Sequence, residues 1–362
     1  MAIADYLKQR ADELKQSASR IRDYRVFDFN FIPDQPLMRQ EIKPIVDACL
    51  RYTQGGIPNH LFIFGSRGCG KTLTMRYLGR LLHEQHELDV VYANCRQHNT
   101  SFKILAHLLG VRARGCSLDE LWHRFCQSHS GKMILILDEV DLISDKDARR
   151  EILYLISRSS ANHMAVLLSN HPKFLSSLDE SVRSTLQPEL IHFRNYDANE
   201  IRQILTERAR AGLREVSEAA VAHIAALTVG ETNADARVAI KTLYYAALEA
   251  APDIAALFHR ARRDLVADVL ADLNDRNLLI LKAAVESAEP FVKSVYGHYR
   301  KLSVQHGIEP YSYVYFYSSL SYLQSIGLLM LISAKVGRAY TNRIQTLLSA
   351  ELLEQIGHAR FG

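Results

Sequence analysis

The sequence has no run of about 18 or more uncharged apolar residues, the length that a membrane-crossing helix requires. Residues 1–16 are charged and amphipathic and lack the apolar core of a secretory signal. Cysteine is scarce and odd in number: Cys49, Cys69, Cys95, Cys116 and Cys126 are scattered over 362 residues, which speaks against a secreted disulfide framework. The expectation is a cytoplasmic, nucleoid-associated protein with reduced thiols and no membrane partner. Cys95-x-x-His98 and Cys126-x-x-His129 offer zinc-type donors, but their separation fits no standard finger or ribbon.

Neither sign of charge dominates, since 44 basic side chains face 40 acidic ones. The imbalance is local. Between Pro290 and Leu348 six cations (Lys293, Arg300, Lys301, Lys335, Arg338 and Arg343) face the single acid Glu309, a net of +5. Such a run is either a solvated face or a phosphate-binding footprint. A hydrophobic fraction of 48% is that of a globular chain with real cores, and the length allows two or three compact units.

Residues 65–72, Gly-Ser-Arg-Gly-Cys-Gly-Lys-Thr, match the phosphate-binding pattern G-x-x-x-x-G-K-[ST]. Their flanks supply the required context. Leu61 to Phe64 is an apolar run suited to a buried parallel strand, and Leu73, Met75, Leu78, Leu81 and Leu82 recur with helical spacing. In a strand–loop–helix unit the backbone N–H groups of Gly68, Cys69, Gly70, Lys71 and Thr72 surround phosphates, with Gly65 opening the loop. Lys71 neutralises the outer phosphate oxygens and Thr72 reaches Mg²⁺.

Met133 to Leu137 is a second such strand and delivers Asp138 and Glu139 to its C-terminal end, where ligands bind in open α/β sheets. Asp138 is expected to hold Mg²⁺ and Glu139 to orient the attacking water; the pair also reads as a helix cap. A third strand, residues 163–170, ends in Asn170, a neutral amide that can sense a terminal phosphate.

This order of motifs resembles the ATPases associated with diverse cellular activities (AAA+). More narrowly, residues 90–105, 137–143, 151–158, 167–193 and 234–251 resemble the archaeal origin-recognition and cell-division-cycle type replication initiators. The resemblance runs from about residue 25 to the end. It implies an α/β fold: a P-loop AAA+ core with a parallel sheet (25–196), a helical lid (197–270) and a C-terminal winged-helix domain (271–362), preceded by a helical arm (1–24). Arg237, in Ala-Asp-Ala-Arg, matches the second sensor of the lid, with Ala234 where glycine is usual. Its rival reading is a salt bridge with Asp235 or Glu231, which helix spacing does not favour. Related assemblies carry an arginine finger where this chain has Thr185; Arg183 lies two residues earlier, out of register.

Three helical patterns at 277–287, 291–307 and 312–327, then a ribbon over 328–348, read as a winged helix. The third helix has no Lys or Arg. Its exposed positions would be Ser312, Tyr313, Tyr315, Ser318 and Ser319, so contacts there would be hydroxyls to phosphate and aromatic faces to sugar or methyl groups, or else its tyrosines are core. Lys335 and Arg338 flank Gly337 at the wing tip and Arg343 follows on the next strand. The resemblance adds a DNA element at about 96–116, offering Arg96, Lys103, Arg112 and Arg114, expected on a helical hairpin.

The resemblance thus implies an ATP-dependent initiator, carrying ATP or ADP with Mg²⁺, that binds double-stranded origin DNA. It also implies recruitment of the replicative minichromosome maintenance helicase, with paralogous initiators as further partners. An uncertain finger favours ATP as a slow switch. The rivals are an ATPase of a plasmid or mobile element and a signalling ATPase with a protein-binding winged helix.

Overall fold

A computed structural model of the chain describes all residues except 1–2, 6, 8–19, 113–114, 145–146, 148–149, 250, 337–338, 349 and 362, and all of their side chains except those of 325, 335–336, 339–340 and 358. It divides into two compact units, Asn30–Asn195 and Met1–Phe29 with Tyr196–Gly362.

In the first unit β1 (Leu61–Gly65), β2 (Asp89–Asn94), β3 (Met133–Asp138), β4 (Met164–Ser169) and β5 (Glu189–Phe193) form a parallel sheet in the order β2-β3-β4-β1-β5. Strands alternate their side chains between faces, so the apolar runs feed two cores at once. Leu61, Ile63, Ile134 and Ile136 pack under α1 (Ile42–Gly55) and α2 (Lys71–His86). Phe62, Leu135, Leu137 and Leu167 face α3 (Ser101–Leu108), α4 (Leu118–Ser128), α5 (Glu151–Ser157) and α6 (Glu180–Leu186). With both faces covered, every residue of β3 and β4 is buried, which is why these strands read as continuous apolar runs.

Ahead of β1, His60 is buried and its Nδ1 accepts the Ala165 N–H at 3.0 Å. Burial disfavours the imidazolium and lowers its pKa to about 4. An unfolded His takes up its proton near pH 6.5. Between these values the unfolded chain binds the proton that the folded one refuses, so stability present above pH 6.5 is lost as pH falls toward 4. The loss amounts to about 3 kcal/mol. His60→Asn, which keeps an acceptor, is expected to flatten the pH dependence of urea unfolding over this window; an unchanged slope would assign the acid loss to other groups.

In the second unit α7 (Ala198–Gly212), α8 (Glu218–Glu231), α9 (Ala236–Leu248) and α10 (Ile254–Asp272) form the helical lid. Residues 20–28, expected within or just after a charged helix, contain a bridge from Ile21 to Leu213 and a short 3₁₀ turn, Tyr24–Phe27, that packs on α7. The buried Arg208 guanidinium donates to the carbonyls of Val26 and Asp28, and burial lowers its pKa to about 10. Gly212 permits this approach, since a Cβ there would meet the Val26 side chain at 2.2 Å.

Then follow α11 (Asp275–Glu286), α12 (Val292–Gln305), α13 (Tyr313–Ser325), the antiparallel ribbon β6 (Leu329–Val336) and β7 (Ala339–Thr346), and α14 (Ala350–Phe361). Helices and ribbon surround one core that includes Leu279, Tyr299, Phe316 and Ile344. The wing-tip residues Gly337 and Arg338 and the Lys335 side chain lie outside the described residues. The closing helix α14 had no counterpart in the sequence reading. Its Arg360 donates to the carbonyls of Ala271 and Leu273 and contacts the Asp275 carboxylate at 3.3 Å, which pins the short junction between α10 and α11.

Candidate functional site

The parallel register places the C-terminal ends of β1, β3 and β4 side by side, and the glycine loop, the carboxylate pair and Asn170 emerge there together. Gly65 ends β1 where a Cβ would meet the Phe193 carbonyl oxygen at 2.3 Å, so only glycine lets the loop start so close to β5. Gly68 (φ +74°) and Gly70 (φ +93°) adopt left-handed backbone, which costs glycine little. Helix α2 then begins with no side-chain cap and no acid in its first turn. Its leading N–H groups and dipole are therefore left for an anion.

Lys71 is buried. Its Nζ donates to the Gly65 carbonyl (2.8 Å), the Ser66 carbonyl (2.9 Å) and Asn170 Oδ1 (3.0 Å). It also lies 3.6 Å from the Cys69 sulfur. The three oxygen acceptors are neutral, and among the described residues no carboxylate lies within ion-pair distance of it. A buried cation answered only by dipoles keeps its attraction for an anion. The loop itself is braced from below: the buried Arg39 donates to the Cys69 carbonyl at 3.2 Å and pairs with buried Glu41 at 3.3 Å.

Asp138 is buried at the end of β3, where its Oδ2 accepts from Thr72 (2.8 Å) and Tyr92 (2.7 Å). Burial raises its pKa, against the lowering effect of those two hydrogen bonds. A threonine hydroxyl beside a carboxylate is a hard oxygen donor set of the kind Mg²⁺ takes. Thr72 and Asp138 therefore fit the ion.

Glu139 has left-handed backbone (φ +53°) and its carboxylate accepts from Arg96 Nε (3.1 Å) and Asn94 Nδ2 (3.3 Å), with Arg67 at 3.9 Å. Asn170 is held through its N–H by Asp141 Oδ1 (3.2 Å), which also accepts from Ser169 Oγ (2.6 Å).

Several expected positions differ from the structure. Arg237 does pair with Asp235: the carboxylate caps α9 by accepting the Arg237 N–H (2.9 Å) and also takes the guanidinium Nε at 2.9 Å. The spacing argument against this bridge assumed a helix on both sides, whereas Asp235 stands just outside one, in extended backbone. Glu231 instead faces His259 and Arg262. Ala234 is left-handed (φ +52°), the conformation that makes glycine usual at this place.

Arg96, expected at a DNA surface, reaches Glu139, and the 96–116 segment is not itself a hairpin. It contains α3, whose Ile104 and Leu105 are fully buried, and the hairpin is completed by α4. Lys103 is exposed and donates to Asn99 Oδ1 (3.0 Å), Arg112 is exposed, and Arg114 is outside the described residues. Arg183 is exposed on α6, while Thr185 is hydrogen-bonded to Ser157 (2.9 Å). Cys95, of the first Cys-His pair, is buried in the core below α3, and burial raises its pKa.

Sequence reasoning missed Tyr92, Asn94 and Asp141. Asn94 was legible as the polar end of the strand that pairs with β3, where it sits opposite Asp138.

Residues 57–178 match an AAA domain. The chain is 30% identical over 333 residues to ORC1-type DNA replication protein 1 of Sulfurisphaera tokodaii, covering 82% of this chain and 83% of that one. Its structure is similar to that of the Aeropyrum pernix ORC1 protein in complex with DNA (TM-score 0.69, 22% identity, 95% and 98% of the two chains). It is also similar to the Aeropyrum pernix ORC2 protein in ADPNP–ADP complexes (TM-score 0.59, 22% identity, 94% and 99%). With the nucleotide cradle assembled at the head of a five-stranded parallel sheet and a relative matched at that identity over most of its length, the chain belongs to the ORC1-type DNA replication proteins, initiators built on an AAA+ ATPase.

Proposed function

We propose that the protein binds double-stranded origin DNA through its winged helix (271–362) and, in its Mg²⁺–ATP form, recruits the replicative minichromosome maintenance helicase, with paralogous initiators as further partners. The core (25–196) and lid (197–270) set the nucleotide state. The observation that carries the reading is one chain holding both a phosphate cradle and a winged helix whose Lys293, Arg300, Lys301 and Arg343 are all exposed. ATP acts as a slow switch. A finger supplied in trans is worth about 10³–10⁵ in turnover, and here the expected position is Thr185, occupied in local hydrogen bonds.

The test is anisotropy binding to a labelled origin-like duplex and a scrambled one across a salt series, with ATP and with ADP. For three neutralised phosphates, affinity is expected to fall about 40-fold between 50 and 200 mM salt. Arg343→Ala should reduce the log–log slope by about one. Absence of binding to either duplex at low salt would leave a nucleotide switch whose partner is another protein.

A further inference from the structure

Helix α13 is the third helix of the winged domain, and its sequence, Tyr-Val-Tyr-Phe-Tyr-Ser-Ser-Leu-Ser-Tyr-Leu-Gln-Ser, is unusual for a groove-facing element. Phe316, Leu320 and Leu323 are fully buried, so its orientation is fixed. The opposite side carries Val314, 77% exposed, and Tyr315, 68% exposed. Tyr313 and Tyr317 are also exposed but are engaged: Tyr313 packs edge-on against Tyr296 (5.1 Å) and the Tyr317 hydroxyl accepts from Asn342 (2.7 Å).

Base pairs are told apart in the major groove by bidentate Arg or Lys to guanine, Asn or Gln to adenine, Asp or Glu to cytosine, and apolar contact to the thymine methyl. Helix α13 has no Lys, Arg, Asn, Asp or Glu. Its one amide, Gln324, accepts the Leu331 N–H at 3.0 Å and lies at the far end from the N-terminal turn that meets base edges. Ser312 is also exposed there, but its hydroxyl caps the helix by accepting the Tyr315 N–H at 3.4 Å, which leaves the methyl pair of Val314 and the ring of Tyr315 as the most exposed apolar groups of the turn. Of the four bases only thymine presents an apolar group in the major groove.

The frame around this apolar tip suits a polyanion. No acid occurs between Glu309 and Glu351. Lys293 and Arg300 are exposed and lie three residues before and four after Tyr296, on the helix side that meets α13. Arg276 sits over the Tyr311 ring at 5.0 Å and 3.9 Å from the exposed Glu309 carboxylate, and that ring stacks on Tyr315.

The geometry points to Val314 and Tyr315 as readers of thymine 5-methyl groups, which makes this initiator select thymine by apolar contact rather than by hydrogen-bonded readout. The assignment rests on the winged helix binding duplex DNA and adds which atoms it reads.

The test uses the full chain and two A·T-rich duplexes of one sequence, one with thymine and one with deoxyuridine at every thymine position, in anisotropy titrations at low salt. Each methyl read is expected to be worth about fourfold, so two contacts weaken the uracil duplex about 15-fold. Val314→Ser with Tyr315→Ser, both exposed, should keep the thermal midpoint and bind the two duplexes alike. Equal wild-type affinity for both duplexes would overturn the assignment, as would discrimination that survives in the double variant, and each leaves DNA binding intact. Failure of the wild type to bind either duplex would overturn the DNA-binding reading itself.

Discussion

Glu139→Gln is expected to lower ATP turnover by about 10²–10⁴, the range for removing a general base, while nucleotide affinity stays near that of the wild type. Glu139 stands at the exit of β3 beside Asp138, and a carboxylate there can accept a proton from water where an amide cannot. Among the described residues it makes no contact with Lys71 or with the loop backbone, and its one link to the loop is the long 3.9 Å approach of the Arg67 guanidinium, so the loss is expected to fall mainly on turnover. In the structure its oxygens accept from Arg96 and Asn94, and polarising water requires one of those bonds to be exchanged. The measurement is single-turnover hydrolysis beside titration with a fluorescent ATP. Unchanged turnover would place water activation elsewhere; weakened binding would make Glu139 part of the cradle.

Lys71→Ala is expected to weaken ATP about a thousandfold, ~4 kcal/mol, as when one partner of a desolvated charge pair is removed. The large figure follows from the site's charge balance. Lys71 is buried and hydrogen-bonded to carbonyl and amide oxygens and the Cys69 sulfur, with no carboxylate within ion-pair distance among the described residues, so its charge is held in reserve for the phosphates. Without it, the triphosphate meets only N–H groups and the α2 dipole, each a fraction of a charge. Isothermal titration with ATP and ADP reads the loss. A drop below tenfold would mean that the backbone loop alone carries the affinity.

How much of this was legible in the sequence depends on the kind of interaction. The loop, Asp138 and Glu139 declared themselves because apolar runs covered on two faces leave no doubt about which strand ends where. The winged helix was legible for a different reason, the order of three helical patterns and a ribbon over 277–348. Arg96 and Arg237 were not, because a long side chain's partner is settled by a turn rather than by periodicity: Arg96 follows the strand end at Asn94, and Asp235 stands at a cap. On α13 the spacing did place Tyr313 and Tyr315 outward, and both are exposed; what it left open was packing, since Tyr313 lies edge-on against Tyr296. Helix α14 went unnoticed because its apolar residues, such as Leu353, pack on a core already accounted for.

The tie made by Arg360 changes what kind of device the second unit is. A two-residue junction between helices would ordinarily act as a swivel, free to absorb any rotation on one side. With a guanidinium from the far end of the domain clasped to Ala271, Leu273 and Asp275, that joint is splinted. The last lid helix and the first helix of the domain that follows are thereby clasped by one guanidinium, which restrains rotation at the joint between them.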